Sequence, residues 1–328
     1  MDPLDALREI ATLLERERAS RYRAKAFRRA ADAYAGLSPA ERTDQGRVKA
    51  TPGIGDSTFA VIREAQDGTT PSYLVELRGQ VEPERSSALR ALLRGDLHAH
   101  TEWSDGTTPI AAMAEAAVAL GHEYLAITDH SPRLRVARGL SADRLREQIP
   151  LVRAASEGGL TMLAGIEVDI LEDGGLDQED ALLGELDIVV ASVHSKLRMD
   201  SAPMTRRILA AVAHPRVNVL GHVTGRLVQG ERGTRPPSAF DARAVFAACA
   251  EHSVAVEINS RPERQDPPDE LIAAALEEGC LFSIDSDAHA PGQLSLLDHG
   301  AERAERAGVP AERIVTTWGV DRLRRWAE

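Results

Sequence analysis

The start of the chain has apolar residues at every third or fourth position, which is the spacing of α-helices with one buried face. Residues 1–36 carry this pattern, with arginines and a lysine on the opposite side of the period. Residues 47–65 carry it again, interrupted at residues 51–56 by a turn with two glycines. A stretch rich in glycine, proline and serine follows. We therefore predict a small all-α domain over residues 1–80 and a linker over residues 81–93.

From about residue 92, short apolar runs alternate with helical stretches. Such alternation indicates parallel strands and an α/β fold. The predicted strands end near residues 99, 129, 168, 193, 222, 259 and 286, and the predicted helices cover residues 109–120, 141–157, 203–213, 239–252, 268–279 and 298–307. Seven units in about 235 residues fit a distorted (β/α)7 barrel over residues 94–328 better than an open sheet. Only a closed barrel brings the ends of all its strands to one point.

Six of the ten histidines lie at the ends of these apolar runs, and one further run ends on a glutamate. Two pairs have period-two spacing, His98 with His100 and Asp287 with His289, which puts both members on one face of an extended chain. A lone histidine at a strand end usually only caps the strand, but recurrence at successive strands favours a shared site. The candidate metal ligands are His98, His100, Asp105, His130, Glu167, His194, His222, Asp287 and His289.

Nine ligands of this kind exceed what one ion needs, so we predict two or three divalent ions. Imidazole and carboxylate together suit Zn, Mn or Fe. The remaining histidines fall in helices or at helix ends, where structural or surface roles are the simpler interpretation; they are His122, His214, His252 and His299.

Charge and composition narrow the possible partners. The net charge is −12, yet residues 1–94 carry 16 basic against 14 acidic residues, so the acidic excess lies in the barrel. An acidic barrel does not attract nucleic acid by its overall field. Cys249 and Cys280 form no framework, which fits a reducing compartment. We find neither a signal peptide nor an apolar run of membrane-spanning length, and expect a cytoplasmic protein without a membrane partner.

The motifs in the second part of the chain resemble the PHP (polymerase and histidinol phosphatase) domain. The resemblance covers about residues 94–328 and is closest to the PHP domain of bacterial family X DNA polymerases. It is carried by His98–Ala99–His100, Ser104–Asp105–Gly106, Thr128–Asp129–His130–Ser131, Gly165–Ile166–Glu167, Ser192–Val193–His194–Ser195, Gly221–His222, Glu257–Ile258–Asn259 and Ser286–Asp287–Ala288–His289. Residues 5–77 resemble the small N-terminal domain of the same polymerases, including the helix–hairpin–helix segment Pro52–Gly53–Ile54–Gly55.

The resemblance implies a centre of three metal ions and a metal-activated hydroxide as the nucleophile. It implies Glu167, His194 and Asp287 as catalytic residues, with Glu167 shared between two ions. The implied groups are His98, His100, Glu167 and Asp287 for one ion, Glu167, His194 and His222 for a second, and Asp105, His130 and His289 for the third.

Other polar residues near the strand ends have two open interpretations. Lys196, Arg226 and Arg264 lie just past strand ends and are candidate phosphate contacts, or else solvated surface charges. Glu257 and Asn259 are candidates for orienting the ligands, although a polar residue at a strand end also needs no such role.

Two departures from the polymerases limit the function. About fifteen residues stand where those enzymes have a polymerase palm, and no Asp-x-Asp pair precedes residue 94, so we expect no polymerase activity. Val61 occupies the position of the Schiff-base lysine of the eukaryotic relatives, which argues against lyase chemistry.

Three functions stay open. The first is a phosphoesterase on DNA ends, of the exonuclease or end-phosphatase type used in DNA repair, which binds DNA through residues 1–80. The predicted DNA contacts are Gly53, Gly55, Arg18, Arg21, Lys25 and Arg28, since hairpin amides and basic side chains hold phosphates without reading sequence. The second is a phosphomonoesterase of the histidinol-phosphatase type, mildly favoured by the acidic barrel. The third is a non-catalytic DNA-binding protein. The oligomeric state is open.

Overall fold

The computed structural model describes residues 1–17, 21–80, 87–229 and 233–328, and of Arg21 it describes the backbone alone. Arg18 and residues 81–86 of the predicted linker lie outside the described residues. The chain divides into two compact units. The first contains Met1–Glu84 with Pro291–Gln293, and the second contains Arg85–Ala290 with Leu294–Glu328.

The first unit is helical. Its helices are α1 (Pro3–Arg16), α2 (Arg21–Ala35), α3 (Pro39–Thr43), α4 (Gln45–Ala50), α5 (Asp56–Gln66) and α6 (Ser72–Gln80). The predicted helical region 1–36 is thus two helices, and the predicted turn joins α4 to α5. Asp2 caps α1 by accepting hydrogen bonds from Leu4 and Asp5. The apolar stripes of α1, α2 and α5 meet in one core that includes Ile10, Phe27 and Ile62.

The second unit is a nearly closed parallel barrel, and this confirms the predicted α/β barrel preceded by a helical segment. Its strands are β1 (Gly95–Ala99), β2 (Tyr124–Ile127), β3 (Thr161–Asp169), β4 (Ile188–Ser192), β5 (Val219–Leu220), β6 (Ala255–Asn259) and β7 (Leu281–Asp285). They pair in sequence order, each parallel to the next. A bridge between Ala99 and Ala288 joins the last strand to the first, where the His100 amide donates to the Ala288 carbonyl at 2.7 Å.

Helices surround the barrel. They are α7 (Ile110–Ala119), α8 (Ala142–Ala154), α9 (Asp180–Leu183), α10 (Ser201–Val212), α11 (Ala242–Glu251), α12 (Asp269–Glu277), α13 (Leu297–Arg306) and α14 (Val320–Ala327). The short helices α9 and α14 were not predicted, since four or eight residues give too little periodicity. No helix among the residues described combines the length and the apolar character needed to cross a bilayer.

Strand β3 shows how the barrel separates its apolar core from its polar end. Ile166 and Val168 point outward into the core between the barrel and the helices. Leu163 belongs to a second apolar cluster with residues of β1, β2, β4, β5 and β6. Because strand side chains alternate, Glu167 and Asp169 share the face of Leu163 but lie further toward the carboxyl end. The barrel is therefore packed with apolar side chains in its lower part and with ionisable ones near its carboxyl end.

Candidate metal centre

All nine candidate ligands converge at the carboxyl end of the barrel. His98 lies in β1 and Glu167 in β3, and the others follow β1, β2, β4, β5 or β7 within a few residues. Most of the nine are buried. The side chains of Asp105 and His194 are 30% and 12% exposed. Six of the seven strands, or the residues that follow them, thus supply ionisable groups to one enclosed volume.

The carboxylate of Glu167 lies at the centre of this group. Its Oε1 is 3.2 Å from His194 Nε2 and 2.8 Å from His222 Nε2. Its Oε2 is 3.3 Å from His98 Nε2, 3.6 Å from His100 Nε2 and 2.8 Å from His130 Nδ1. The two oxygens face different sets of imidazoles, which is the arrangement a carboxylate needs to bridge two cations.

Two aspartates complete the centre on either side. Asp105 Oδ1 is 3.5 Å from His130 Nε2 and 3.3 Å from His289 Nε2. Asp287 Oδ1 is 3.5 Å from His100 Nε2. Asp287 has φ 51°, a left-handed conformation that is uncommon outside glycine. Such strain concentrates at functional sites, where the surrounding structure holds it in place.

Four groups of these residues bring their ligand atoms within 4.8 Å of one another. They are His100 with Asp105, His130 and His289; His98 with His100 and Asp287; His98 with Glu167 and His222; and His130 with Glu167 and His194. The groups overlap with the three implied by the resemblance, but His130 also lies beside Glu167 and His194. The assignment of each residue to a particular ion stays a prediction.

Many of the converging atoms have no hydrogen-bond partner among the described residues. They include His98 Nε2, both nitrogens of His100, Asp105 Oδ1, both carboxylate oxygens of Glu167 and His194 Nε2. Each buried polar atom without a partner costs about 1–3 kcal/mol. Lone pairs from imidazole and carboxylate that all face one volume fit divalent cations such as Zn, Mn or Fe. The residues present therefore suit the metal ions that the sequence predicts.

Two further carboxylates set the orientation of ligand histidines. His98 Nδ1 lies 2.5 Å from Glu257 Oε1, and the other oxygen of Glu257 accepts from the His222 amide at 2.5 Å. His194 Nδ1 donates to Asp169. In both rings the proton on Nδ1 leaves Nε2 with its lone pair directed at Glu167, a pattern common around metal ligands. Sequence reasoning missed Asp169, although its position two residues after Glu167 on one strand was an available signal.

Asp129 holds the loop that carries Asp105. Its buried carboxylate accepts from the Thr101 amide at 2.8 Å, the Thr101 hydroxyl at 2.6 Å and Gln148 Nε2 at 2.6 Å, and also from the Ser104 hydroxyl. Three of these four donors belong to the turn between His100 and Asp105, so the Asp129 carboxylate fixes that turn, and the fourth ties it to α8. Asp129 stands in one of the sequence motifs, but the motif alone does not indicate this role.

Electrostatics favour the ligating form of His100, Glu167 and Asp287, whereas, against the effect of burial, Glu167 with Asp169 raises the pKa of His194 to about 10, and Glu167 with Glu257 raises the pKa of His98 well above its usual range. Burial, with help from His289 and His130, lowers the pKa of His100 to about 3, so this imidazole is neutral and able to ligate. Burial by itself would raise the pKa of Glu167, but His194, His98 and His130 hold it well below the usual range. Burial likewise opposes ionisation of Asp287, and Arg261 with Arg264 lowers its pKa well below normal.

The three predicted phosphate contacts have different surroundings. Lys196 is exposed and has a left-handed backbone with φ 54°. Arg264 is buried, and its Nε lies 3.0 Å from Asp287 Oδ2. Arg226 Nε donates to the backbone carbonyls of Arg264 and Gln265 at 3.1 and 2.9 Å. Arg226 therefore braces the loop after β6, while Arg264 neutralises a candidate ligand.

Arg261 is a further buried cation that sequence analysis did not single out. Its Nη1 donates to the Asp287 carbonyl at 2.9 Å, and its Nε lies 3.1 Å from Glu263. It stabilises the left-handed residue that carries one ligand. Asn259, a predicted orienting residue, donates to Asp287 Oδ2 at 3.2 Å and to Glu257 at 3.2 Å.

The predicted DNA contacts differ in their exposure and in whether they already have a partner within the protein. Lys25 is exposed. Arg28 is 20% exposed and is ion-paired with Glu15 at 2.7 Å. Gly53 has φ 101°, and the Gly55 amide donates to the Thr58 hydroxyl at 2.9 Å, so that amide is already used. Arg18 and the side chain of Arg21 lie outside the described residues.

A nearly closed parallel barrel with a buried His/Asp/Glu centre at its carboxyl end is an arrangement typical of metal-dependent hydrolases. The model of the PHP domain matches residues 96–261, and the model of a helix-hairpin-helix domain matches residues 1–69. The chain therefore belongs to the PHP domain family and is a phosphoester hydrolase, which confirms the resemblance noted from its motifs.

Two relatives that are similar in sequence agree with this assignment. The DNA polymerase/3'-5' exonuclease PolX of Bacillus subtilis is 36% identical over 68% of this chain, but the chain spans only 39% of that protein. A probable phosphatase of Vibrio parahaemolyticus is 31% identical over 68% of this chain and 88% of its own length. The crystal structure of the histidinol phosphate phosphatase of Lactococcus lactis, complexed with zinc, L-histidinol and phosphate, aligns with a TM-score of 0.48 and 18% identity over 66% of this chain and 94% of its own.

Proposed function

We propose that this protein is a metal-dependent phosphoesterase that cleaves phosphoester bonds at DNA ends. The observation that carries the proposal is the Glu167 carboxylate, whose two oxygens face separate sets of imidazoles in a buried site. The helix-hairpin-helix match at residues 1–69 and the similarity to a polymerase with 3'-5' exonuclease in its name support DNA as the substrate.

The metal groups in this proposal are those that the resemblance implies. His98, His100, Glu167 and Asp287 would hold one ion, Glu167 with His194 and His222 a second, and Asp105 with His130 and His289 a third. Divalent ions supply Lewis-acid activation of water and neutralise charge on the phosphate. Zn, Mn and Fe all suit the donor set.

The protein's own residues position the groups that take part. Asp169 and Glu257 hold the Nδ1 protons of His194 and His98, so both Nε2 lone pairs face Glu167. Arg261 and Arg264 fix Asp287 on the far side. Because these partners are buried, little reorganisation is needed when a charged substrate binds, which is how preorganised sites stabilise developing charge. In this proposal Lys196, exposed beside the strand end, contacts a substrate phosphate.

DNA would be held by residues 1–80. Lys25 and Arg29 are exposed on α2, and the Arg29 side chain packs closely at Gly53 of the hairpin. Basic groups beside a hairpin position a backbone without reading sequence. Part of the binding free energy would then come from counterion release and fall steeply with salt.

A second candidate is a phosphomonoesterase for small molecules. It is favoured by the acid-rich barrel and by the relatives described as probable phosphatases, of which this chain covers 88% in the Vibrio case. The two candidates differ in substrate and share the centre.

The test compares hydrolysis of 3'-recessed DNA with hydrolysis of histidinol phosphate by the full chain with Mn added. We expect DNA to be cleaved with the higher kcat/KM, and we expect K25E/R29E to raise KM for DNA while leaving that for histidinol phosphate unchanged. Preference for histidinol phosphate would replace the first candidate by the second. Absence of hydrolysis of both substrates in the metal-loaded protein would overturn both.

A further inference from the structure

The loop between β2 and α8 places three arginines directly after a candidate metal ligand. We call residues 131–139 the arginine loop; it begins at the residue after His130 and contains Arg133, Arg135 and Arg138. Between the last two lies Val136, which is 93% exposed. The loop therefore stands at the carboxyl end of the barrel, on the side where the centre lies.

Backbone hydrogen bonds close the base of the arginine loop. The Leu140 amide donates to the His130 carbonyl at 2.7 Å, which brings the two ends of the loop together. At Gly139 a Cβ atom would lie 1.8 Å from the Ser131 carbonyl oxygen, so only glycine allows this approach. The tip is a short 3-10 turn over Arg135–Ala137, after which Arg138 has φ 57°.

Arg144 of α8 braces the loop from outside. Its Nη1 donates to the Arg138 carbonyl at 2.9 Å, and it also donates to the carbonyl of Trp103, whose ring lies 5.7 Å below the guanidinium carbon. Trp103 belongs to the loop that carries Asp105. One guanidinium thus ties the arginine loop to a loop of the centre.

The arginine side chains themselves are mostly uncompensated. Arg133 is 70% exposed and reaches Asp177 only at 3.7 Å. Arg135 and Arg138 are exposed, and neither forms an ion pair within the described part of the chain. Two exposed guanidinium groups without acidic partners are notable in a chain of net charge −12. Guanidinium matches the oxygens of a phosphate in a bidentate way, which makes phosphate their natural counter-group.

We propose that the arginine loop binds the phosphodiester backbone of a DNA strand beside the bond being cleaved. This inference rests on the proposed function and specifies its substrate contacts. Arg135 lies five positions after His130, at most about 18 Å of chain. Phosphates follow one another at about 3.4 Å of axial rise along a strand, so the contacts fall within roughly five nucleotides of the centre. We therefore expect the loop to contact phosphates beyond the one at the centre, which a substrate with one phosphate lacks.

The experiment uses the full chain with Mn added and compares R135Q/R138Q with the matched control R324Q/R325Q, which removes two exposed arginines from α14. The substrates are a single-stranded 12-mer and bis(p-nitrophenyl) phosphate. For R135Q/R138Q we expect KM for the 12-mer to rise about tenfold, as for two lost exposed charge pairs. We expect kcat/KM for the small diester to stay within twofold of wild type, and the control to match wild type on both.

Binding of the 12-mer, followed by fluorescence anisotropy at several salt concentrations, gives a readout that does not depend on catalysis. The slope of log Kd against log salt should fall by about 1.4 in R135Q/R138Q, the value for two lost phosphate contacts on a single strand. The lysine variant R135K/R138K should restore the slope. An unchanged slope overturns the inference, as does an equal loss of activity on both substrates. If wild type cleaves the small diester but not the 12-mer, the DNA-end function fails, and the slope still decides the role of the loop.

Discussion

At the scale of the residue, the centre depends most on Glu167. It is the one candidate ligand whose two oxygens face different sets of imidazoles. Replacing it removes a charge that two ions would share, whereas replacing a histidine removes one neutral donor from one ion.

We therefore expect E167Q to lower phosphoester hydrolysis more than H194A does. The loss for E167Q should exceed the 10- to 100-fold that an orienting residue typically costs. Steady-state kinetics on DNA ends, together with circular dichroism for the fold, measure this. The matched control is E172Q, an exposed carboxylate after the same strand. If E167Q retains more than a tenth of the activity, Glu167 is not a metal ligand.

Asp169 gives a second prediction at this scale. In D169N the His194 ring keeps a hydrogen-bond partner at Nδ1. It loses the negative charge beside Nδ1, and that charge makes Nε2 a stronger metal ligand. We expect metal affinity to fall about 10- to 100-fold. Competition with a chelator measures the affinity, and D173N serves as the exposed control. Wild-type affinity in D169N would mean that Asp169 only fills space.

At the scale of the element, sequence periodicity predicted much of the barrel because each strand is a short apolar run that ends on a polar residue. The candidate metal ligands could be predicted from the same pattern, since they lie at the ends of these runs. The period-two position of Asp169 places it on the same face as Glu167, but its partner His194 could not be assigned in this way, and neither could the role of Arg261, because both depend on which strand or loop lies opposite. The shift in β1–β2 register between Asp96 and Ala99 is also invisible in a period-two pattern.

Gly165 tests how closely the strands around the centre pack. A Cβ atom there would lie 2.7 Å from the Ile188 carbonyl oxygen and 2.9 Å from Thr128 Cγ2. We expect G165A to destabilise the protein by about 1–3 kcal/mol, as overpacking of a core typically does. Thermal unfolding measures the effect. The control G79A adds a methyl where nothing lies within 4 Å. Equal stability of the two variants would show that β3 can move.

At the scale of the whole molecule, the centre couples metal binding to folding. Its ligands come from segments between His98 and His289, so only the folded chain brings them together. Ions that bind the native state alone stabilise it in proportion to the logarithm of their concentration.

We expect two or three ions per chain, and a lower Tm after treatment with EDTA. The folded chain then keeps buried carboxylates and imidazoles without partners, which is unfavourable. Elemental analysis measures the number of ions per chain. Calorimetry measures the Tm before EDTA treatment, after it, and after the metal ions have been added back. At most one ion per chain in metal-replete buffer would contradict the expectation.

The closure of the barrel between β1 and β7 also has a consequence for the synthesis of the protein on the ribosome. The ribosome releases His98 and His100 about 190 residues before Asp287 and His289. Domains generally fold as units during translation. The bridge from Ala99 to Ala288 cannot form before the seventh strand has emerged. A nascent or prematurely terminated chain that stops before β7 therefore lacks part of its cleavage centre, so phosphoester cleavage cannot begin before the residues that follow β7 have been made.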